Sequence, residues 1–93
     1  MNAPKLVVWP TAFRDMENIL NYIKSDDLFA AQALLQEIEQ KIAALPEHPK
    51  LYRPGRVPGL REMVIKKNYV VVYSENPETI TVIRVLHAAR QWP

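Results

Sequence analysis

The residues best suited to chemistry lie in the second half of the chain. Arg61, Lys66, Tyr69, Tyr73, Arg84 and His87 fall on or beside three short apolar runs, and the last stretch, VIRVLHAARQWP, brings Arg84, His87, Arg90 and Trp92 close together. Arginines and a lysine edged by tyrosine rings suit single-stranded RNA, with the rings stacking on bases and the cations meeting phosphates. Cleaving RNA asks for more: a base for the 2′-hydroxyl, an acid for the leaving oxygen and cations for the phosphorane. His87 is the one residue of this region whose ordinary pKa lies near neutrality.

Strand parity limits that chemistry. In a regular strand TITVIRVLH, Ile80, Val82, Arg84 and Leu86 share one face, while Thr81, Ile83, Val85 and His87 share the other. Arg84 and His87 converge only if the strand ends or bulges near Leu86. Arg84 is the only charge inside this run, and a buried unpaired guanidinium is very costly. It therefore pairs with an acid such as Glu62 or faces a phosphate or a partner. His87 reads as a structural or contact residue, with catalysis as the alternative. Trp92 is either a cap on the sheet or an anchor for a partner. His48 carries no functional signal, and Glu37 and Glu39 read as the solvated face of a helix.

The elements that position these residues follow from period and punctuation. KLVVW (5–9) reads as a strand ended by Pro10, with Thr11 as the next N-cap. Phe13, Met16, Ile19, Leu20 and Ile23 form one helical stripe. Ser25 to Asp27 stop that helix and cap a second, in which Leu28, Ala31, Leu35, Ile38, Ile42 and Leu45 make a heptad-like seam closed by Pro46. PEHPKLYRPGRVPGL holds four prolines and both glycines. It reads as an irregular connection, with Leu51, Tyr52 and Val57 as anchors to the core. REMVIK, YVVVY and TITVIRVLH follow as a meander of hairpins, with turns at Lys67 and Asn68 and at 75–78. YVVVY has no polar interruption, which predicts a central strand covered on both faces. The order is β-α-α-β-β-β, an α+β fold with a helical hairpin on a curved, mainly antiparallel four-stranded sheet. The register of the first strand is left open.

Composition bounds the function. A chain of 93 residues forms a single domain, 1–93, that buries about 60 to 65% of its unfolded surface. No apolar stretch reaches the roughly 18 residues of a membrane span, and MNAPKLVVWP lacks a basic region followed by a long apolar one, which predicts a cytoplasmic protein. The absence of cysteine excludes disulfides and thiol chemistry, and two unclustered histidines argue against a metal site; no cofactor is expected. Residues 1–46 carry four Lys/Arg against six Asp/Glu, and residues 47–93 carry eight against four, balances of −2 and +4. A basic half points to an acidic partner, either nucleic acid or protein.

The ordered set LPEHPKLYRPGRVPGLRE, YVVVY and RVLHAARQWP resembles the RelE/ParE toxin superfamily of type II toxin-antitoxin systems, closest to its ParE and plasmid-stabilisation branch. The resemblance spans about Lys5 to Pro93, and its most specific parts are GLRE (59–62) and the closing RVLHAARQWP. It implies a small toxin neutralised by a cognate antitoxin, an acidic segment that folds on binding around the helical hairpin and sheet. Phe13, Met16, Leu28, Leu35, Arg61 and Tyr73 are the candidate antitoxin contacts. ParE-type members block DNA gyrase on cleaved DNA, whereas RelE-type members are ribosome-dependent endoribonucleases that cut messenger RNA, and the fold alone does not choose. For the nuclease, Arg61, Lys66, Arg84 and His87 would form the catalytic set. The ending AARQWP has no terminal tyrosine and resembles ParE-like members, so no catalytic residues are expected and gyrase is the favoured target. Arg84, His87, Arg90 and Trp92 are then the candidate target contacts. A module that only binds its antitoxin is the third reading.

Overall fold

The computed structural model describes residues 3–90 and Trp92. Met1, Asn2 and two members of the closing stretch, Gln91 and Pro93, lie outside the described residues. The chain runs from strand β1 (Lys5–Val8) directly into helix α1 (Pro10–Lys24). Pro10 is suited to a first helical position, where its missing N–H has no intrahelical acceptor to lose and its φ is already helical. The N-cap is Trp9 rather than Thr11, and it makes no side-chain cap bond. Thr11 instead sits in the first turn and donates its hydroxyl to the Ile83 carbonyl at 2.7 Å. Asp27 caps α2 (Leu28–Ala44) by accepting from the Ala30 N–H at 3.0 Å, as the sequence implied.

The seam of α2 is buried at Ala31, Leu34, Ile38 and Ile42 and continues to Leu45, with Leu35 half-buried. Leu28 starts the helix before this seam begins and stays 51% exposed. Among the described residues the sheet has five strands, one more than the pattern suggested. The extra strand is β2 (Arg53–Pro54), two residues of the Pro-rich connection paired antiparallel with β3 (Arg61–Ile65). So short a strand leaves no period to detect, and its edge position is where a proline costs no ladder bond. Tyr52 packs against the core, whereas Leu51 is exposed and anchors nothing.

The meander of β3, β4 (Tyr69–Glu75) and β5 (Thr79–His87) gives the order β1-β5-β4-β3-β2, with β1 parallel to β5 and Lys5 opposite Thr79. At the β3–β4 turn Lys66 and Lys67 both take positive φ, of 51° and 65°, the left-handed pair that a tight hairpin turn requires. Strand β4 is central, and Val70, Val71, Val72 and Tyr73 are essentially inaccessible to solvent. Val71 and Tyr73 meet the helices, while Val70 and Val72 join Leu86 on the opposite face. Leu60, Ala88 and Trp92 cover that second face, so the C-terminal tail closes the sheet where no helix does. No helix among the described residues is long and apolar enough to cross a membrane.

One irregularity controls β5. Val82 lies opposite Tyr73 and Arg84 lies opposite Val72, leaving Ile83 as an extra residue. This bulge breaks the simple alternation. Before it, Ile80 and Val82 face the helices; after it, Val85 takes the core-facing place and Leu86 goes to the opposite face. Without the extra residue Arg84 would point with Val82 into the apolar core.

Tyr73 has no exposed surface, and its hydroxyl donates to the Pro49 carbonyl at 2.9 Å, tying β4 to the Pro-rich connection. Burial is the largest influence on this phenol and raises its pKa above the ordinary 10.0, against a lowering by Arg61. A folded-state pKa above the unfolded one gives stability that is complete below the unfolded value and is lost as pH rises toward the folded one. Wild type should therefore exceed Tyr73→Phe by about 1 kcal/mol at neutral pH through the hydroxyl bond. Urea denaturation of both proteins should show this gap shrinking as the pH passes 10.0; a gap that stays constant or grows would contradict the buried phenol.

Candidate functional site

The site is organised at the edge of β5. Strand β1 pairs with β5 only as far as Val8 opposite Val82, and the Trp9 N–H then donates to the Val82 carbonyl. Beyond that point the edge of β5 has backbone groups without a strand partner. Helix α1 meets them with two residues one turn apart: Thr11 donates to the Ile83 carbonyl, and Asp15 accepts the Val85 N–H at 2.9 Å. The same carboxylate holds Arg84 in a two-point bond, Nε to Oδ2 at 2.7 Å and Nη2 to Oδ1 at 3.0 Å. These bonds raise the Arg84 pKa above its ordinary value, against an opposing effect of burial. On its other side the guanidinium carbon lies 5.6 Å from the centre of the Trp92 ring, within range of a cation–π contact. Of the alternatives open for Arg84 the ion pair forms, and its acid is Asp15 rather than Glu62.

The candidate nuclease residues do not assemble. Arg61 donates to the Tyr52 carbonyl at 2.8 Å and lies 3.6 Å from Glu75. Lys66 is 3.5 Å from Glu37 on α2, which also pairs with Lys41 and is half-buried rather than fully solvated. Arg84 is engaged with Asp15. The bulge falls at Ile83, ahead of both Arg84 and His87, so it leaves these two on opposite faces. Tyr73 is inside the core, so the basic, tyrosine-edged concavity read from the sequence does not form.

Among the described residues, clefts lie on both sides of α1. One, of about 440 Å³, lies between α1 and the end of the sheet and is lined by Asn18, Tyr22, Tyr69, His87 and Arg90 among others. Here His87 is exposed, meets Tyr69 edge to face at 5.5 Å and accepts the Ala89 N–H on Nδ1 at 3.1 Å. The other is an apolar groove of about 370 Å³ where α1, α2 and β1 meet, lined by Leu6, Val8, Phe13, Met16, Leu20 and Leu35 with Glu17 and Glu39 beside them. Phe13 is 58% exposed there. Met16 and Leu35 are thus grouped with Phe13, while Leu28, Arg61 and Tyr73 do not line this groove. Sequence reading missed Asp15, which lies on the polar side of a helical stripe and has no local mark of its partner 69 residues away. It also missed the groups around Glu62, a residue only 3% exposed.

Replacing Arg84 with lysine tests the two-point bond, because an ammonium keeps the charge but loses the planar fork. Arg84→Lys should lower stability by about 1 to 2 kcal/mol. Chemical denaturation reads this loss, and an unchanged midpoint would mean that charge alone suffices.

Comparison with known proteins fits this architecture. The family described as "ParE toxin of type II toxin-antitoxin system, parDE" matches residues 6–92. A protein of Sinorhizobium fredii named as toxin Y4kP is 35% identical over 83 residues, 88% of this chain and 85% of that protein. Toxin RelE2 of Caulobacter vibrioides is 32% identical over 85 residues, 90% and 96% of the two chains. Among solved structures, the chromosomal ParDE system of P. aeruginosa superposes with a TM-score of 0.81 at 19% identity, covering 91% of this chain and 96% of the other. The toxin-antitoxin complex RelBE2 of Mycobacterium tuberculosis gives 0.67 at 18% identity, covering 92% and 99%. At such identities the superpositions establish the shared fold, and the family match and curated relatives establish descent: the chain belongs to the ParE toxin family of type II toxin-antitoxin systems, within the RelE/ParE superfamily.

Proposed function

We propose that the protein is a cytoplasmic toxin that poisons DNA gyrase and is neutralised by a cognate antitoxin, and that it is not an enzyme. The observation that carries this reading is the dispersal of the nuclease set. Arg61, Lys66 and Arg84 are each held by acceptors within the chain, and His87 is separated from Arg84 by the sheet. Phosphoryl transfer needs an acid-base group and its cations around one phosphate. What remains near the C-terminus, the exposed His87 and Arg90 with the half-buried Trp92, suits contact with a large partner.

Purified toxin should inhibit supercoiling by gyrase and accumulate cleaved DNA, while leaving ribosome-bound messenger RNA intact. His87→Ala should lower this activity by no more than about tenfold, the scale of one contact within a larger interface, against a loss of a hundredfold or more for a general acid-base group. Messenger cut on ribosomes with no effect on gyrase would sink the reading.

The apolar groove between α1, α2 and β1 is the proposed antitoxin seat, taking the apolar face of an amphipathic helix between the side chains of Phe13, Met16 and Leu35. Phe13→Asp should weaken the antitoxin complex by about a hundredfold or more in titration calorimetry, the scale of a central aromatic anchor. The free toxin should fold as before, since Phe13 is more than half exposed. Unchanged affinity would move the antitoxin elsewhere.

A further inference from the structure

Glu62 is the second residue of β3, with its side chain only 2% exposed. Three groups converge on it: Arg53 Nη2 at 3.4 Å from Oε1, the Arg56 backbone N–H at 2.9 Å from Oε2, and Arg56 Nε at 3.8 Å from Oε2. Gly55 makes this approach possible, because a Cβ there would lie 3.0 Å from Glu62 Cγ and 3.1 Å from Oε2. A turn closed by the Gly55 N–H on the Leu60 carbonyl at 2.7 Å fixes the loop around it. Arg56 also reaches the Arg90 carbonyl at 3.4 Å and so links the loop to the C-terminal tail.

The charges do not balance. Two guanidinium groups share one carboxylate, leaving one positive charge in excess, and the carboxylate is too buried to meet a ligand itself. The arginines are not buried: their side chains are 59% and 42% exposed. Each guanidinium has five N–H donors, and among the described residues few of these find acceptors. Arg53, Glu62, Val72 and Arg84 follow one another across β2, β3, β4 and β5. They share the face that Trp92 covers, opposite the helices and away from the apolar groove.

We propose that Arg53 and Arg56, positioned by Glu62, form a phosphate-binding fork that engages the backbone of duplex DNA on the face opposite the antitoxin groove. A pair of planar donor forks held beside one carboxylate matches phosphate oxygens, and contacts to phosphate carry no sequence information. The choice of DNA rests on the gyrase reading, whereas the phosphate chemistry rests on the fork.

The test is fluorescence anisotropy of the purified toxin with a short labelled DNA duplex of arbitrary sequence across a salt series, without gyrase. The triple variant Arg53→Gln/Arg56→Gln/Glu62→Gln removes the fork without orphaning a buried charge, and circular dichroism checks its fold. The wild type should bind, and the variant should bind about tenfold more weakly, with the slope of log affinity against log salt reduced by about 1 to 2. Should the triple variant fail to fold, Arg53→Gln carries the test with an expected slope change of about 1. A folded variant with an unchanged slope, or a wild type that does not bind, overturns the proposal. A variant that loses acidic antitoxin but keeps DNA also overturns it and assigns the fork to the antitoxin. A wild type that has no effect in the separate gyrase assay, with the salt slope reduced in the variant as expected, would leave the fork standing and remove only the gyrase reading.

Discussion

The carboxylate of Asp15 is the group on which the arrangement of this small protein depends. It accepts the Val85 N–H at the edge of β5 and two N–H groups of Arg84, and so joins the first helix to the last strand across 69 residues of sequence. Three needs are met at one point. The backbone of β5 past the end of β1 obtains an acceptor, a half-buried guanidinium obtains a counter-ion, and α1 is fixed along the strand that it covers. A buried ion pair is costly to desolvate, and its geometry has to be good before it contributes at all. Here the carboxylate is satisfied from three donors. The bulge at Ile83 makes that possible by turning Arg84 away from the apolar core while Val85 takes its place there.

From this lock follows a division of the sheet into two faces with different chemistry. The helix face carries the main core and opens at its margin into an apolar groove with acidic rims at Glu17 and Glu39. The opposite face has a small apolar patch of Val70, Val72 and Leu86 under Trp92, beside the arginines around Glu62. The acid-rimmed groove and the arginines around Glu62 thus lie on different surfaces of one domain. Separate surfaces suit a toxin that meets an inhibitor and a target, since neither partner has to displace the core contacts of the other.

Much of this was legible in the sequence where pattern is local. The helical stripes, the Asp27 cap, the central valine-rich strand and the meander follow from residue period and turn chemistry, and the ordered motifs carried the family. What was not legible depended on distance or on single residues. A bulge has no sequence signature in a run as apolar as Val82, Ile83 and Val85 around one arginine, so strict alternation puts the faces of β5 one residue out of step beyond it. Asp15 lies beside Met16 on a helix and looks like any surface acid until β5 is in place. For Arg84 the sequence leaves open a pair with an acid such as Glu62 or a place facing a phosphate or a partner. The register does put Arg84 and Glu62 on one face, with Val72 between them, but nearer arginines occupy the carboxylate. Strand β2 is too short to show any pattern.

The coupling between Asp15 and Arg84 is the most direct measure of the whole arrangement. A double-mutant cycle with Asp15→Ala, Arg84→Ala and the combined variant, followed by urea denaturation, isolates their interaction from the other contacts that each loses. The expected coupling is about 1.5 to 3 kcal/mol, the upper part of the range for residues that share one network. A coupling below about 0.5 kcal/mol, the scale of an ordinary surface ion pair, would show that the last strand is held by its ladder bonds and apolar contacts and that the Asp15–Arg84 pair does not organise the site.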